Sequence, residues 1–383
     1  MFRYFTRRSR AVWEVIVVAL VLIAGSVSTM PVAHANGHTT VPSVSSTPST
    51  SPTPGGKATG PKPNFFIYGG ETGETSDGAT SNAFCNGHLY TAWTGADDHV
   101  NVAWDFYSNP FGSGFSGKVT YADTAYNLLV PAPGTNIYTR PALACWQASG
   151  DTTRLWIFFT GTNQRLYLGY YEPGDENQQS KTVSIHLHTE VPNQSSNRSP
   201  ALAPQGSTLR VGWVGDGNGY LNFESTTNGA YFGSLNTDRD STADGGFGMT
   251  VWCVSGVCKL WFAYPGTDQN HYIYVEYFNF NAGTWTDPPN AHHTADFTCH
   301  ICDLTLVLQS GTLRIPYAGS GGYDNLNIDS STDGNTWSND QSEDGALWGA
   351  GAAVDNNNHF WVTFPNYNSF STTNLQILIF QYN

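Results

Sequence analysis

One short pattern recurs along this chain and constrains its fold more than any other feature. It reads Leu, three residues, a large aromatic, one residue, then Gly. Its copies are Leu89–Trp93–Gly95, Leu155–Phe159–Gly161, Leu209–Trp213–Gly215, Leu260–Tyr264–Gly266 and Leu313–Tyr317–Gly319; a sixth, Phe360–Trp361–Phe364, has Asn366 in the place of Gly. Successive starts lie 66, 54, 51, 53 and 47 residues apart. A period of about 50 residues with strand-like content belongs to a propeller blade. Such a blade is a four-stranded antiparallel sheet that packs face to face with its neighbours around a channel. The expected fold is all-β: a six-bladed β-propeller over residues 64–383. The last blade stops after Phe360–Phe364 and Leu375–Gln381, one strand short, while Phe65–Gly69 stands as an orphan ahead of blade one. Lending that N-terminal strand to the last blade would close the ring and cover an open edge.

Composition agrees. Aromatics are 14% and charged residues 12%, with 40 Gly, which suits short twisted strands and tight turns and not a helical bundle. The net charge of −14 disfavours nucleic acid, whose phosphates need clustered Lys and Arg.

Residues 1–35 read as a signal peptide. Arg3, Arg7, Arg8 and Arg10 precede the apolar run Val15–Ala24, and Ala33-His34-Ala35 offers a cleavage site. Ten apolar residues fall short of the ~20 needed to cross a bilayer, so no stable membrane span is expected after cleavage. Residues 36–63, rich in Ser, Thr and Pro, read as a disordered linker. The expected location is secreted or cell-envelope associated, and a monomer is expected.

Six cysteines in an exported protein allow disulfides. Cys253 and Cys258 bracket a Val-Ser-Gly-Val turn and are expected to bridge a hairpin. The pairing of Cys85, Cys145, Cys299 and Cys302 stays open. His292, His293, Cys299, His300 and Cys302 are metal-type ligands in one stretch. In an exported protein such a Cys-x-x-Cys pair is more often a disulfide, so neither metal nor cofactor is expected. Trp146, Trp252 and Trp348 could stack on sugar faces, but propeller aromatics mostly fill the space between blades.

The turn Ser331-Thr-Asp333-Gly334-Asn-Thr336-Trp337 resembles an Asp-box of the sialidase (neuraminidase) superfamily, one residue shorter than the usual form. Weaker relatives stand at Ser108–Phe115, Thr227–Phe232 and Asn281–Trp285. The resemblance implies a structural role for Asp333, Gly334 and Trp337 at the outer rim and a functional site at the channel mouth, where inner strands begin. It also implies, for a strict sialidase, three Arg, a Tyr–Glu pair and an Asp. Arg314-Ile315-Pro316 matches a motif that supplies one such Arg, but it stands in blade five on a second strand, and no Tyr–Glu pair is readable.

Polar residues recur where the blades begin: Asp77, Arg140, Arg198, Asp244, Asp303 and Asp344. Arg presents a planar fork to carboxylates or paired hydroxyls, and carboxylates bind sugar hydroxyls or act as acid and base. These six are expected to line one pocket at the channel mouth, with Asp77, Asp244, Asp303 and Asp344 as catalytic candidates. The resulting expectation is carbohydrate recognition there. A glycoside hydrolase using the same site is the alternative, and a structural or protein-binding propeller a third.

Overall fold

The structure, a computed structural model, describes residues 64–76, 78–95, 100–106, 117–120, 139–171, 186–268, 272–287, 302–319, 325–345, 348–367 and 373–381. The signal and linker segments lie outside these.

Six four-stranded antiparallel sheets make up the described residues. Strand β1 (Asn64–Thr75) precedes blade one, which is β2 (Ser81–Cys85), β3 (His88–Thr94), β4 (Val100–Phe106) and β5 (Gly117–Thr120). Blade two is β6 (Ala142–Gln147), β7 (Thr153–Thr160), β8 (Arg165–Tyr171) and β9 (His186–Ser195). Blade three is β10 (Ala201–Gln205), β11 (Thr208–Val214), β12 (Tyr220–Thr226) and β13 (Asn236–Thr242). Blade four is β14 (Gly248–Val254), β15 (Val257–Pro265), β16 (Ile273–Asn279) and β17 (Thr284–Thr286). Blade five is β18 (Val307–Gln309), β19 (Thr312–Ala318), β20 (Asn325–Ser331) and β21 (Ser338–Gly345). Blade six is β22 (Gly351–Val354), β23 (Phe360–Tyr367) and β24 (Thr373–Gln381), with β1 as its outermost strand. Phe65 pairs with Phe380 and Phe66 with Ile379, so the N-terminal strand closes the ring as its sequence leads one to expect. The inner strands β2, β6, β10, β14, β18 and β22 neighbour one another in that order, and β22 returns to β2.

The repeat is the inter-blade core. Its leucines and aromatics are buried, from Leu89 and Trp93 to Phe360 and Phe364. Hydrophobic clusters fill the blade-to-blade interfaces; Leu155, Ile157 and Phe159, for example, meet Tyr90, Ala92 and Val102. The Gly has a steric cause. A Cβ on Gly161, Gly215 or Gly266 would stand 2.7, 2.4 or 2.2 Å from Tyr167, Asn218 or Tyr274, because a side chain of the next strand or turn folds back over it. The resulting loss on substitution is that of overpacking, about 1–3 kcal/mol.

The rim turn of blade five closes on its own side chains. Asp333 Oδ1 accepts from the amides of Asn335 (2.7 Å) and Thr336 (2.8 Å), and Ser331 Oγ accepts from that of Gly334 (2.8 Å). Those amides hold the Asp333 carboxyl below its ordinary range. A Cβ on Gly334 would stand 2.1 Å from Trp261 of blade four, so the turn packs across a blade interface. Asn228 in blade three and Asn279 in blade four accept from their own turns in the same way.

Cys253 and Cys258 are bonded, with Cα atoms 3.9 Å apart. They occupy the second pair out from the two-residue turn Ser255-Gly256. That is a non-hydrogen-bonded position, where antiparallel strands approach most closely. Cys85 and Cys145 are also bonded and tie β2 to β6 across blades one and two. Cys302 is disulfide-bonded too. The neighbouring His292, His293, Cys299 and His300 lie outside the described residues.

Candidate functional site

The residues expected at the channel mouth separate into a buried hub and a half-buried pair. Arg140, just before β6, reaches into the axis and is 3% exposed. One of its terminal nitrogens donates to Thr80 O of blade one (3.2 Å) and to Thr305 Oγ1 of blade five (2.7 Å). The other donates to Phe247 O of blade four (3.3 Å) and to Leu304 O of blade five. Its Nε faces Asp303 Oδ2 at 3.6 Å. Asp303, 6% exposed, also accepts from Ser199 Oγ of blade three and from the Gly246 amide at 2.8 Å. Thr305 Oγ1 extends the network to Ala350 O of blade six (2.7 Å). Directly, or through Asp303 and Thr305, one guanidinium thus links every blade across the axis. Burial pushes the Asp303 carboxyl up, and the Arg140 charge works against that shift.

Arg198 and Asp244 form the second pair, 3.4 Å apart, with side chains 18% and 19% exposed. Arg198 sits close enough to Asp303 to help hold its carboxyl down, so these two lie beside the hub. Asp344 is not at the start of an inner strand as expected. It belongs to β21, the outer strand of blade five, which runs on to pair Gly345 with Asn325 past a bulge. Asp77 lies outside the described residues. Arg314 is buried within blade five, donating to Gln309 and Ser330. Trp146 is core, its Nε1 donating to Gly206 O at 3.1 Å across the blade interface. Beyond the hub, a cavity of about 280 Å³ follows the inner strands, between walls that include Ala144, Leu202, Met249, Leu306 and Ala353.

A second cavity, of about 360 Å³, lies where the end of β9 meets blade three. The residues that give it its chemistry are Gln194, Asp216, Asn218, Tyr220, Asn222 and Arg239, with the buried Trp213 behind them. Its rim is the turn between β11 and β12. Gly217 and Gly219 take positive φ there (76° and 70°), Gly215 N donates to Tyr220 O at 2.8 Å, and Asn218 Oδ1 accepts from the Tyr220 amide at 2.9 Å. Asp216 N donates to Ser195 O (3.2 Å) and anchors the rim to blade two. Asn222, opposite Trp213, donates to Tyr220 O (2.9 Å) and accepts from Thr237 Oγ1 (2.7 Å). Sequence reasoning did not find this cleft. Its one readable signal is the run Gly215-Asp-Gly-Asn-Gly219, which exceeds what a tight turn requires.

Buried carboxyls recur on the third strands of blades three, four and five: Glu224, Glu276 and Asp329, opposite Val211, Phe262 and Ile315. Desolvation pushes Glu224 up to about 7. Burial raises Glu276 well above its ordinary range, and the adjoining Asp238 raises it further. Ser241 of blade three donates to Glu276 at 3.0 Å. A carboxyl raised in the fold stabilises fully below its unfolded value and loses that contribution as pH climbs through its folded value. For Glu224 the window runs from the ordinary 4.5 to about 7. We expect unfolding in urea to become easier from pH 5 to 8.5, with Glu224 accounting for about 2 kcal/mol after solvent screening. Glu224→Gln with Glu276→Gln should flatten that slope; an unchanged slope would mean both carboxyls are charged in the fold.

No family model matches this protein, and no curated protein matches it. Solved structures do. A fungal lectin from Aleuria aurantia, a six-bladed β-propeller that recognises fucose, superposes with TM-score 0.53 at 12% identity, over 80% of this chain and 93% of that one. A Dyadobacter fermentans protein of unknown function gives 0.57 at 9% identity, over 84% and 100%. The microbial sialidase Hz136 gives 0.44 at 15% identity over 63% and 50%, too weak a likeness to carry an argument. At these identities the likeness is one of fold.

Proposed function

We propose that this protein is an exported carbohydrate-binding β-propeller and that the cleft between blades two and three holds the sugar. One observation carries the reading: the cleft sets the half-buried ring of Tyr220 among side-chain amides, one carboxylate and one guanidinium. A few convergent polar groups around an aromatic surface are what a sugar's hydroxyls and apolar ring faces require. The signal-like residues 1–35 and the Ser/Thr/Pro-rich residues 36–63 support a secreted or envelope-attached protein. The turn at Ser331–Trp337 supports a distant relation to the sialidase superfamily. Hydrolysis needs two carboxyls facing each other across the sugar, and among the described residues the cleft lining supplies Asp216 alone; binding is therefore favoured over turnover. The lectin that shares this fold makes fucosylated glycans the first ligands to try.

The test is a glycan array run beside chromogenic glycosides. Wild-type protein should retain a glycan and release no chromophore. Asp216→Ala and Arg239→Ala, both at exposed positions, should weaken retention at least tenfold while leaving the circular dichroism unchanged. Retention of no glycan by the wild type, or equal retention by both variants, would overturn the assignment.

A further inference from the structure

The two faces of strand β13 do different work. Thr237 and Arg239 line the cleft, and Thr237 Oγ1 donates to Asn222 on that side (2.7 Å). Side chains alternate along a strand. Asp238 therefore faces the other way, opposite Leu221, which packs in the cluster between blades three and four. There it meets Glu276 of β16. Both are buried, at 6% and 1% exposure. Asp238 Oδ1 accepts from the Asp240 amide (2.9 Å), and Glu276 Oε2 accepts from Ser241 Oγ (3.0 Å). Glu276 Oε1 meets no N–H or O–H donor among the described residues. The other group bonded to Glu276 is the Asp238 carboxyl. Two carboxyls bond each other only when one carries a proton, because like charges so close cannot both ionise. The surroundings keep that proton on Glu276. Burial raises its carboxyl first, then Asp238, with Asp287 past the end of β17 adding to them; Ser241 alone works against the shift. Tyr264 of β15, raised by burial and by Glu276, supplies no charge either. The nearest charges on β13, Arg239 and Asp240, are exposed.

We infer that Glu276 and Asp238 form a proton-operated latch that regulates the cleft. With the proton in place, their hydrogen bond ties β13 to blade four and holds Thr237 and Arg239 in the cleft wall. Without it, two buried carboxylates repel across the blade interface, β13 shifts and the sugar is released. This rests on the carbohydrate reading above. Strand β13 is the part of blade three able to yield. It is the outer strand, paired on one edge only. Its register with β12 jumps from Asp238 to Thr242, which leaves residues 239–241 outside the ladder. Tyr220, the aromatic of the cleft, pairs with Thr242 just past that irregularity, so a shift of β13 reaches it as well. The sign follows from the proton: glycan is held in acid and let go as pH rises and Glu276 ionises.

The experiment measures retention on an array of neutral glycans, fucosylated ones included, at pH 5 and pH 8.5. None of these sugars titrates in that range, so a change belongs to the protein. Wild type should lose about tenfold at the higher pH, an ordinary size for coupling between two sites, with its circular dichroism unchanged. Glu276→Gln keeps a donor toward Asp238 at either pH and should retain glycan equally at both. Asp238→Asn supplies the same amide from the other side, should behave alike, and serves where the first variant does not fold. Amide hydrogen exchange without sugar, corrected for its intrinsic pH dependence, reads the latch directly. The β12–β13 pairs should lose protection at pH 8.5 in wild type and keep it in the amide variants. Equal wild-type retention at both pH values would refute the latch and leave the cleft as the sugar site. A loss shared in full by the amide variants, or global unfolding of wild type at pH 8.5, would refute it too. No retention of any glycan at either pH would end the carbohydrate reading and the regulation built on it.

Discussion

Arg140→Ala will cost about 3–5 kcal/mol of folding stability, the range for removing one partner of a buried ion pair. Two effects add. Asp303 is left buried with only Arg198 to offset its charge, and the carbonyls of Thr80, Phe247 and Leu304 lose a donor where water does not replace it easily. Arg140→Lys should recover only part of the loss, because one ammonium cannot reproduce a fork aimed at several blades. The deficit should also depend on pH. Without Arg140 the Asp303 carboxyl rises further above its ordinary range, so its neutral form becomes the stable one in the fold. The variant's disadvantage should then narrow in acid, as Asp303 takes up a proton, and widen as pH rises. Urea unfolding of wild type, Arg140→Ala and Asp303→Asn at pH 4 and 7 checks this. A loss under about 1 kcal/mol would mean that the hub is dispensable and that the blades hold by their apolar interfaces alone.

The same residue shows where the sequence stopped being informative. The Leu–aromatic–Gly repeat reveals the ring because every copy does the same packing job, and packing leaves a periodic trace. The closing strand Phe65–Gly69 was legible because one blade lacked a strand and one strand lacked a blade. Arg140 left no comparable trace. An Arg before an inner strand reads the same whether its side chain lines a mouth or crosses the axis, and only the assembled ring separates the two. Asp344 misled for a local reason: a bulge between Asn325 and Asn327 lengthens β21 and keeps the residue in an outer strand.

Of the two disulfides with both halves described, Cys85–Cys145 should matter more to stability. Its cysteines lie 60 residues apart in sequence, against 5 for Cys253–Cys258. In the entropic account a cross-link stabilises by restricting the unfolded chain, and its effect grows with the logarithm of the loop it closes. That gives about 4 kcal/mol for the long loop and about 2 kcal/mol for the short one. The folded side points the same way. Cys85 is buried in the cluster between blades one and two and is partnered across that interface, whereas the 253–258 bridge staples one hairpin whose flanking Val254 and Val257 are exposed. Cys85→Ala with Cys145→Ala should therefore lower the urea midpoint by about twice the shift produced by Cys253→Ala with Cys258→Ala. Both double variants should keep the blade topology, because each interface retains its apolar cluster. Equal shifts, or a larger one from the hairpin pair, would show that native-state packing around the bridges, and not the length of the loops they close, decides their worth in this propeller.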